Sequence, residues 1–204
     1  MVFQKNLVMP GFFEIYCGPM KSGKSRELLN RIDRVSYRSD SESKFFKPNI
    51  DTRNGGIYSR FNNVSYDCNF IDLKNPEKIF DYVSRKDKII AIDEIMLFDK
   101  DISKVVDQLI KQDKNVIVAG LDLDFRGEPF GPMPELLCKA DYVEKQYGIC
   151  EFNDCNSLAT RTQRLINNEP ADYDSPLIII EGENINEKYE CRCISHHYVP
   201  KSVL

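Results

Sequence analysis

Gly18-Pro19-Met20-Lys21-Ser22-Gly23-Lys24-Ser25 satisfies every fixed position of the pattern G-x-x-x-x-G-K-[ST]. Glycines in such a loop let the backbone wrap phosphate oxygens so that several N–H groups converge on them. A lysine at the position of Lys24 reaches the β- and γ-phosphates, and a hydroxyl at that of Ser25 ligates Mg²⁺. The flanks suit this reading. Phe12–Cys17 is rich in aromatic and β-branched residues and predicts a strand. After the loop, Leu28, Leu29, Ile32 and Val35 fall at helical spacing. A helix N-terminus beside a glycine loop attracts anions, because its first N–H groups are unpaired and carry partial positive charge. A chance match in an ordinary turn is the competing reading, and the strand and helix on either side weigh against it. The loop predicts a nucleoside triphosphate ligand, with nothing yet to say what the chain does with it.

Outward from the loop, short apolar strands alternate with amphipathic stretches from Gly11 to about Tyr147, the signature of a parallel α/β sheet. Strands are predicted at Phe12–Cys17, Lys44–Lys47, Ile89–Asp93, Val116–Leu121 and Tyr142–Gln146. Helices are predicted at Ser25–Tyr37, Pro76–Arg85, Ile102–Gln112 and Pro134–Ala140. Ile102, Val105, Val106, Leu109 and Ile110 form an i, i+3, i+4 stripe that reads as core packing alone. Residues 38–75 are polar and punctuated by Pro48, Gly55-Gly56 and Asn62-Asn63. They read as a long, partly mobile insertion, either a plain surface loop or a lid over the nucleotide. From Gly148 the pattern changes to cysteines, turns and the apolar run Leu177-Ile178-Ile179-Ile180. The expected organisation is a leader over 1–10, an α/β nucleotide-binding domain over 11–147, a small metal-organised domain over 148–200 and a tail over 201–204. The expected fold class is α/β, a P-loop NTPase (RecA-like) parallel sheet flanked by helices, with that small C-terminal domain attached.

The chain has 204 residues, 42% of them hydrophobic, enough for a sizeable core. Its net charge of −4 provides no global basic field for nucleic acid, which favours a small-molecule acceptor. Apolar runs such as Val116–Ala119 are far too short to span a bilayer, and Met1–Pro10 lacks the apolar region and cleavage site of a signal peptide. Cytoplasmic residence is the default expectation. Of seven cysteines, four cluster in the last third, at Cys150, Cys155, Cys191 and Cys193. In a reducing compartment such clustering points to metal rather than disulfides.

Three further constellations carry chemistry. Ile89-Ile90-Ala91-Ile92-Asp93-Glu94 is an apolar strand ending in acid. In P-loop enzymes such an aspartate holds Mg²⁺, directly or through water. Glu94 would sit at the carboxyl edge of the sheet, where a carboxylate can take a proton from a substrate hydroxyl. In Gly120-Leu121-Asp122-Leu123-Asp124-Phe125-Arg126-Gly127-Glu128-Pro129-Phe130-Gly131-Pro132, glycines and prolines suit a rigid loop offering a ring to a planar ligand. Phe125 and Phe130 equally suit pinning that loop to the core. Cys150-x4-Cys155 and Cys191-Arg192-Cys193-Ile194-Ser195-His196-His197 supply two sets of soft ligands for tetrahedral Zn²⁺. Arg53, alone in the polar segment, reads as a phosphate ligand or as a surface ion pair.

Together these blocks, with Lys47-Pro48…Asp51-Thr52-Arg53, Ala159-Thr160-Arg161-Thr162-Gln163-Arg164-Leu165 and Tyr189…Cys193…His196-His197-x-Val199-Pro200, resemble thymidine kinases of the zinc-containing class. These occur in bacteria and in animal cytosol. The resemblance covers Gly11 to Pro200. It implies transfer of the γ-phosphate of ATP, as the Mg²⁺ complex, to the 5′-hydroxyl of thymidine or deoxyuridine, giving dTMP in nucleotide salvage. It implies Glu94 as catalytic base, with Lys24 and Arg53 at the transferred phosphate. Gly18 to Ser25 and Asp93, Glu94, Ile95 and Met96 would surround ATP, with Ser25 and Asp93 on Mg²⁺. Met20, Leu97, Leu121, Phe125, Phe130 and Thr162 would line the nucleoside pocket. Leu177, Ile178, Ile179, Ile180, Glu181 and Tyr189 would belong to a lasso-like loop that reads the base through backbone groups. Cys150, Cys155, Cys193 and His196 would be the zinc ligands, leaving Cys191 out. A homotetramer and feedback inhibition by dTTP are implied as well, with no nucleic-acid or membrane partner.

The chain departs from the family pattern at four places. Lys21 stands where Phe is common, and Leu97 where an aromatic packs on the pocket. The first cysteine pair is C-x4-C rather than C-x2-C, and Glu181–Glu187 makes the lasso longer and more acidic. A second reading shares the phosphate motifs and the metal knuckle: a RecA-like ATPase with a zinc ribbon acting on single-stranded nucleic acid. The acidic balance and the absence of a basic, aromatic-interleaved stripe disfavour it.

Overall fold

A computed structural model describes residues 7–36, 42–50, 56–59, 64–178 and 186–201. Arg53, Ile179, Ile180 and Glu181 lie outside the described residues. The predicted strand before the glycine loop is β1, Phe12–Cys17, and the helix after it is α1, Lys24–Ser36. Three more expected strands follow at β2 (Glu42–Pro48), β6 (Asp87–Ile92) and β7 (Asn115–Gly120), and β8 closes the set at Tyr142–Lys145. The 38–75 segment is more structured than the sequence suggests. It holds a hairpin of β3 (Gly56–Ser59) and β4 (Val64–Asp67), then β5, Asn69–Ile71.

Six strands pair in the order β5-β2-β6-β7-β1-β8, every neighbouring pair parallel. All six residues of β7 are buried, as are five of the six in β1. Strands covered on both faces read as continuous apolar runs, which is why the sequence displayed them clearly. Alternation sends Phe13, Ile15 and Cys17 to one face, where they join α2 (Ile102–Lys111) and α3 (Met133–Lys139). Tyr16 goes to the other, against Leu28, Leu29, Ile32 and Val35 of α1. Glu14 points to that face too and meets Arg31 of α1 at 2.8 Å, both side chains fully buried. Asn115 donates to the same carboxylate at 2.9 Å, and Arg31 also donates to the Leu7 carbonyl at 2.7 Å.

The helix expected over Pro76–Arg85 is instead a 3₁₀ stretch over Pro76–Asp81. It buries Pro76 and Ile79, three residues apart, and a three-residue repeat puts such a pair on one side. Beyond β8 the pairing turns antiparallel. β9 (Gly148–Ile149) pairs with β10 (Leu158–Ala159), and β11 (Arg161–Ile166) lies between β12 (Glu169–Pro170) and β13 (Glu187–Arg192). No helix among the described residues is long and apolar enough to cross a membrane.

Candidate active site

The glycine loop bridges the carboxyl end of β1 and the first turn of α1. Gly18 (φ 140) and Gly23 (φ 92) take backbone conformations that L side chains avoid. A Cβ on Gly18 would also lie 2.2 Å from the Gln146 carbonyl, so the loop sits directly on the end of β8. Pro19 O is the loop's inner anchor, accepting from Lys24 Nζ at 2.7 Å and Ser22 Oγ at 2.8 Å. Lys24 is buried, and desolvation pulls its pKa down while nearby Glu94 and Asp93 pull it back up.

Although β7 separates β1 from β6, the motifs at their ends meet. Ser25 Oγ donates to Asp93 Oδ1 at 3.1 Å, and the Glu94 N–H donates to the same oxygen at 3.1 Å. Burial raises the Asp93 pKa, opposed first by the positive charge of Lys47, itself buried at the end of β2. Glu94 is half-buried with φ 53, an uncommon conformation for a non-glycine residue. Ile95 and Met96, which the family resemblance puts around ATP, follow in a 3₁₀ turn and are buried in the sheet's core.

On the other side of the glycine loop, Met20, Leu97 and Leu177 are partly buried against one apolar cluster that includes Met96, Leu121 and Phe130. Leu121 N–H points at Met96 Sδ, 3.4 Å away, and a Cβ on Gly131 (φ 47) would lie 2.4 Å from Met96 O. The loop between β7 and α3 is stapled by buried Asp124, whose Oδ1 accepts from Arg126 N at 2.8 Å and Glu128 N at 3.0 Å. Phe125, 4% exposed, has two guanidinium groups over its ring, those of Arg126 and Arg164, each 5.2 Å from the centroid. The same arginines hold the chain leading to Leu177. Arg126 donates to Tyr173 O at 2.7 Å and Ser175 O at 3.0 Å, and Arg164 to Pro176 O and Glu187. Thr162 is buried on β11 and accepts from Met20 N at 3.0 Å. Tyr189 lies opposite Arg164 on β13, on the ribbon face that carries Thr162. Ile178 is exposed.

Cys150, Cys155, Cys193 and His196 converge, their ligand atoms all within 4.8 Å of one another. His196 Nδ1 lies 3.6 Å from Cys150 Sγ and 3.4 Å from Cys193 Sγ. Tetrahedral Zn²⁺, with bonds near 2.3 Å to sulfur and 2.0–2.1 Å to nitrogen, would put sulfur and nitrogen ligands ~3.5 Å apart, so the group fits. Hydrogen bonds from the Ser157 side chain and backbone bring the Cys155 thiol down to about 6, toward the thiolate a metal needs. The neighbouring His197 is turned away, its Nε2–H donating to Phe125 O at 2.9 Å. Cys191 lies outside the cluster, with its thiol on the Met20 carbonyl of the glycine loop.

Sequence reasoning passed over Glu151, whose carboxylate pairs with Lys21 at 2.8 Å, and the stapling roles of Arg126 and Arg164. The arginines stood inside the quoted motifs, whereas nothing in the sequence flagged Glu151. The family model for thymidine kinase matches residues 11–198, a span that takes in the glycine loop, the acidic pair and all four Cys/His residues. With nearly the whole length matched, the chain belongs to the thymidine kinase family.

Proposed function

We propose that this kinase transfers the γ-phosphate of ATP to the 5′-hydroxyl of thymidine or deoxyuridine. The observation that carries the reading is the 3.1 Å bond between Ser25 and Asp93, with Glu94 next in the chain. It draws the triphosphate loop and the acidic strand end into one site. Phosphoryl transfer asks for positioning and charge neutralisation rather than covalent chemistry. Gly18–Ser25 would cradle the phosphates through backbone N–H groups, and Lys24 would neutralise the β- and γ-oxygens. Ser25 and Asp93 would hold Mg²⁺, which when bound neutralises charge developing on the phosphate oxygens. Glu94 would take the proton of the acceptor hydroxyl, with Arg53 at the transferred phosphate. Ile95 and Met96 would support the ATP side from beneath.

Met20, Leu97, Leu121, Phe130 and Leu177 support an apolar acceptor pocket, with Thr162 and Tyr189 on the ribbon beside it. Phe125 would form its floor, with Arg126 and Arg164 holding the ring. Ile178, Ile179, Ile180 and Glu181 would continue the base-reading loop. Zn²⁺ on Cys150, Cys155, Cys193 and His196 would organise the unit over 148–200 beside the α/β unit over 11–147. A homotetramer in the cytoplasm, inhibited by dTTP at the acceptor site, completes the proposal. The decisive experiment is a nucleoside panel with labelled ATP, alongside zinc quantification. Label should pass to thymidine and deoxyuridine, with about one zinc per chain. No transfer to any pyrimidine deoxynucleoside, with ATP hydrolysis stimulated by single-stranded DNA, overturns the reading.

A further inference from the structure

Three contacts tie the tip of the glycine loop to residues adjoining the Cys/His cluster. Met20 N–H donates to Thr162 Oγ1 at 3.0 Å, and Met20 O accepts from the Cys191 thiol. Thr162 and Cys191 stand directly opposite each other on β11 and β13, so one face of the ribbon grips both the N–H and the C=O of a single residue, Met20. The third contact is Glu151, whose Oε2 accepts from Lys21 Nζ at 2.8 Å while its Oε1 accepts from Cys191 N at 2.7 Å. Glu151 N–H returns a bond to Cys191 O at 2.8 Å. Glu151 is thus fixed to β13 on one side and to the loop on the other. It directly follows Cys150, and Cys191 is two residues before Cys193, both members of the cluster. Packing is close here: a Cβ on Gly148 would lie 2.4 Å from Cys191 Sγ. Lys21, the residue being held, has φ 60, a conformation a non-glycine side chain keeps only when its surroundings impose it.

We propose that Glu151 is a positioning residue that couples the Cys/His metal centre to the glycine loop. Metal at the cluster fixes the backbone of Glu151 and Cys191, and these hold Met20 and Lys21 in the shape that turns the loop's N–H groups toward a triphosphate. The proposal rests on reading Gly18–Ser25 as a triphosphate loop. Its test is the affinity of the zinc-loaded full chain for a fluorescent N-methylanthraniloyl ATP, compared among wild type, Glu151→Gln, Lys21→Met and the double variant. Each single variant should weaken binding about two- to fivefold at unchanged zinc content and melting temperature, the range of a partly exposed ion pair. The double variant should be no weaker than either single, because both remove one interaction. Chelating zinc from the wild type should weaken binding at least as much, and should add less in Glu151→Gln. Unchanged affinity in the single variants, or losses that simply add in the double, overturns the coupling while leaving the loop's role intact. Lys24→Ala separates the two ideas. It should abolish binding, and retained binding would overturn the triphosphate reading and the coupling with it.

Discussion

At the scale of single residues, the site depends on a few side chains held in uncommon backbone geometry. Glu94 is the clearest. Its φ of 53 costs about 1–3 kcal/mol for a non-glycine residue, and its N–H is tied to Asp93 Oδ1. Strain of that size persists where surrounding contacts over-determine it, here the buried 3₁₀ turn that follows and the end of β6. Glu94→Gln keeps shape and removes only the basicity. If the chain runs the proposed transfer, its turnover should fall about 10²- to 10⁴-fold while affinity for ATP stays within twofold. Near-wild-type turnover in steady-state kinetics would remove Glu94 from the proton-accepting role. The residues that meet at the glycine loop were the most legible part of the sequence. A phosphate loop and an acidic strand end are local patterns, so Lys24, Ser25, Asp93 and Glu94 could be named without knowing the fold. Glu151 could not. Its partners are Lys21, 130 positions earlier, and Cys191, 40 positions later, and a lone surface glutamate carries no signal of either.

At the scale of elements, the central strands and the three helices were readable because their environments force strong patterns. β7 is buried throughout, and α2 has a single apolar face. The weak points were short. β5 spans three residues with only Ile71 buried, too little for a period to show, so a sheet edge looked like loop. The Pro76 segment packs through a pair three apart, which a helical reading in steps of three and four cannot tell from α. One element contact is invisible in apolar patterning altogether: the fully buried Glu14–Arg31 pair joining β1 to α1. Removing one partner strands the other charge inside. Arg31→Met should therefore lower stability by about 3–5 kcal/mol. Urea unfolding would show this as a lower midpoint, and a shift under 1 kcal/mol would mean the pair is not buried in solution.

At the scale of the whole molecule, a broad parallel sheet adjoins a small antiparallel lobe with very little core of its own. Among the described residues the lobe's buried apolar side chains are few: the cluster of Cys150, Ala159, Cys191 and Cys193, with Cys155 beside it, and Leu165 and Ala171 outside it. That is far less than a self-sufficient core, and a structural zinc site supplies about 10–16 kcal/mol of apparent stabilisation. Chelation should therefore loosen residues 148–200 and leave the sheet folded. Limited proteolysis should cut first near Asn153–Asn156, and cuts appearing at the same rate with and without metal would contradict this. The tie between Met20 and Cys191 also sets a schedule for synthesis. The loop is made early, but one of its supports arrives 171 residues later. At roughly 5–20 residues per second, that gap is about 10 to 30 s on the ribosome. During that interval the sheet can assemble around a phosphate loop still missing its brace, so nucleotide would bind the finished chain more tightly than the nascent one.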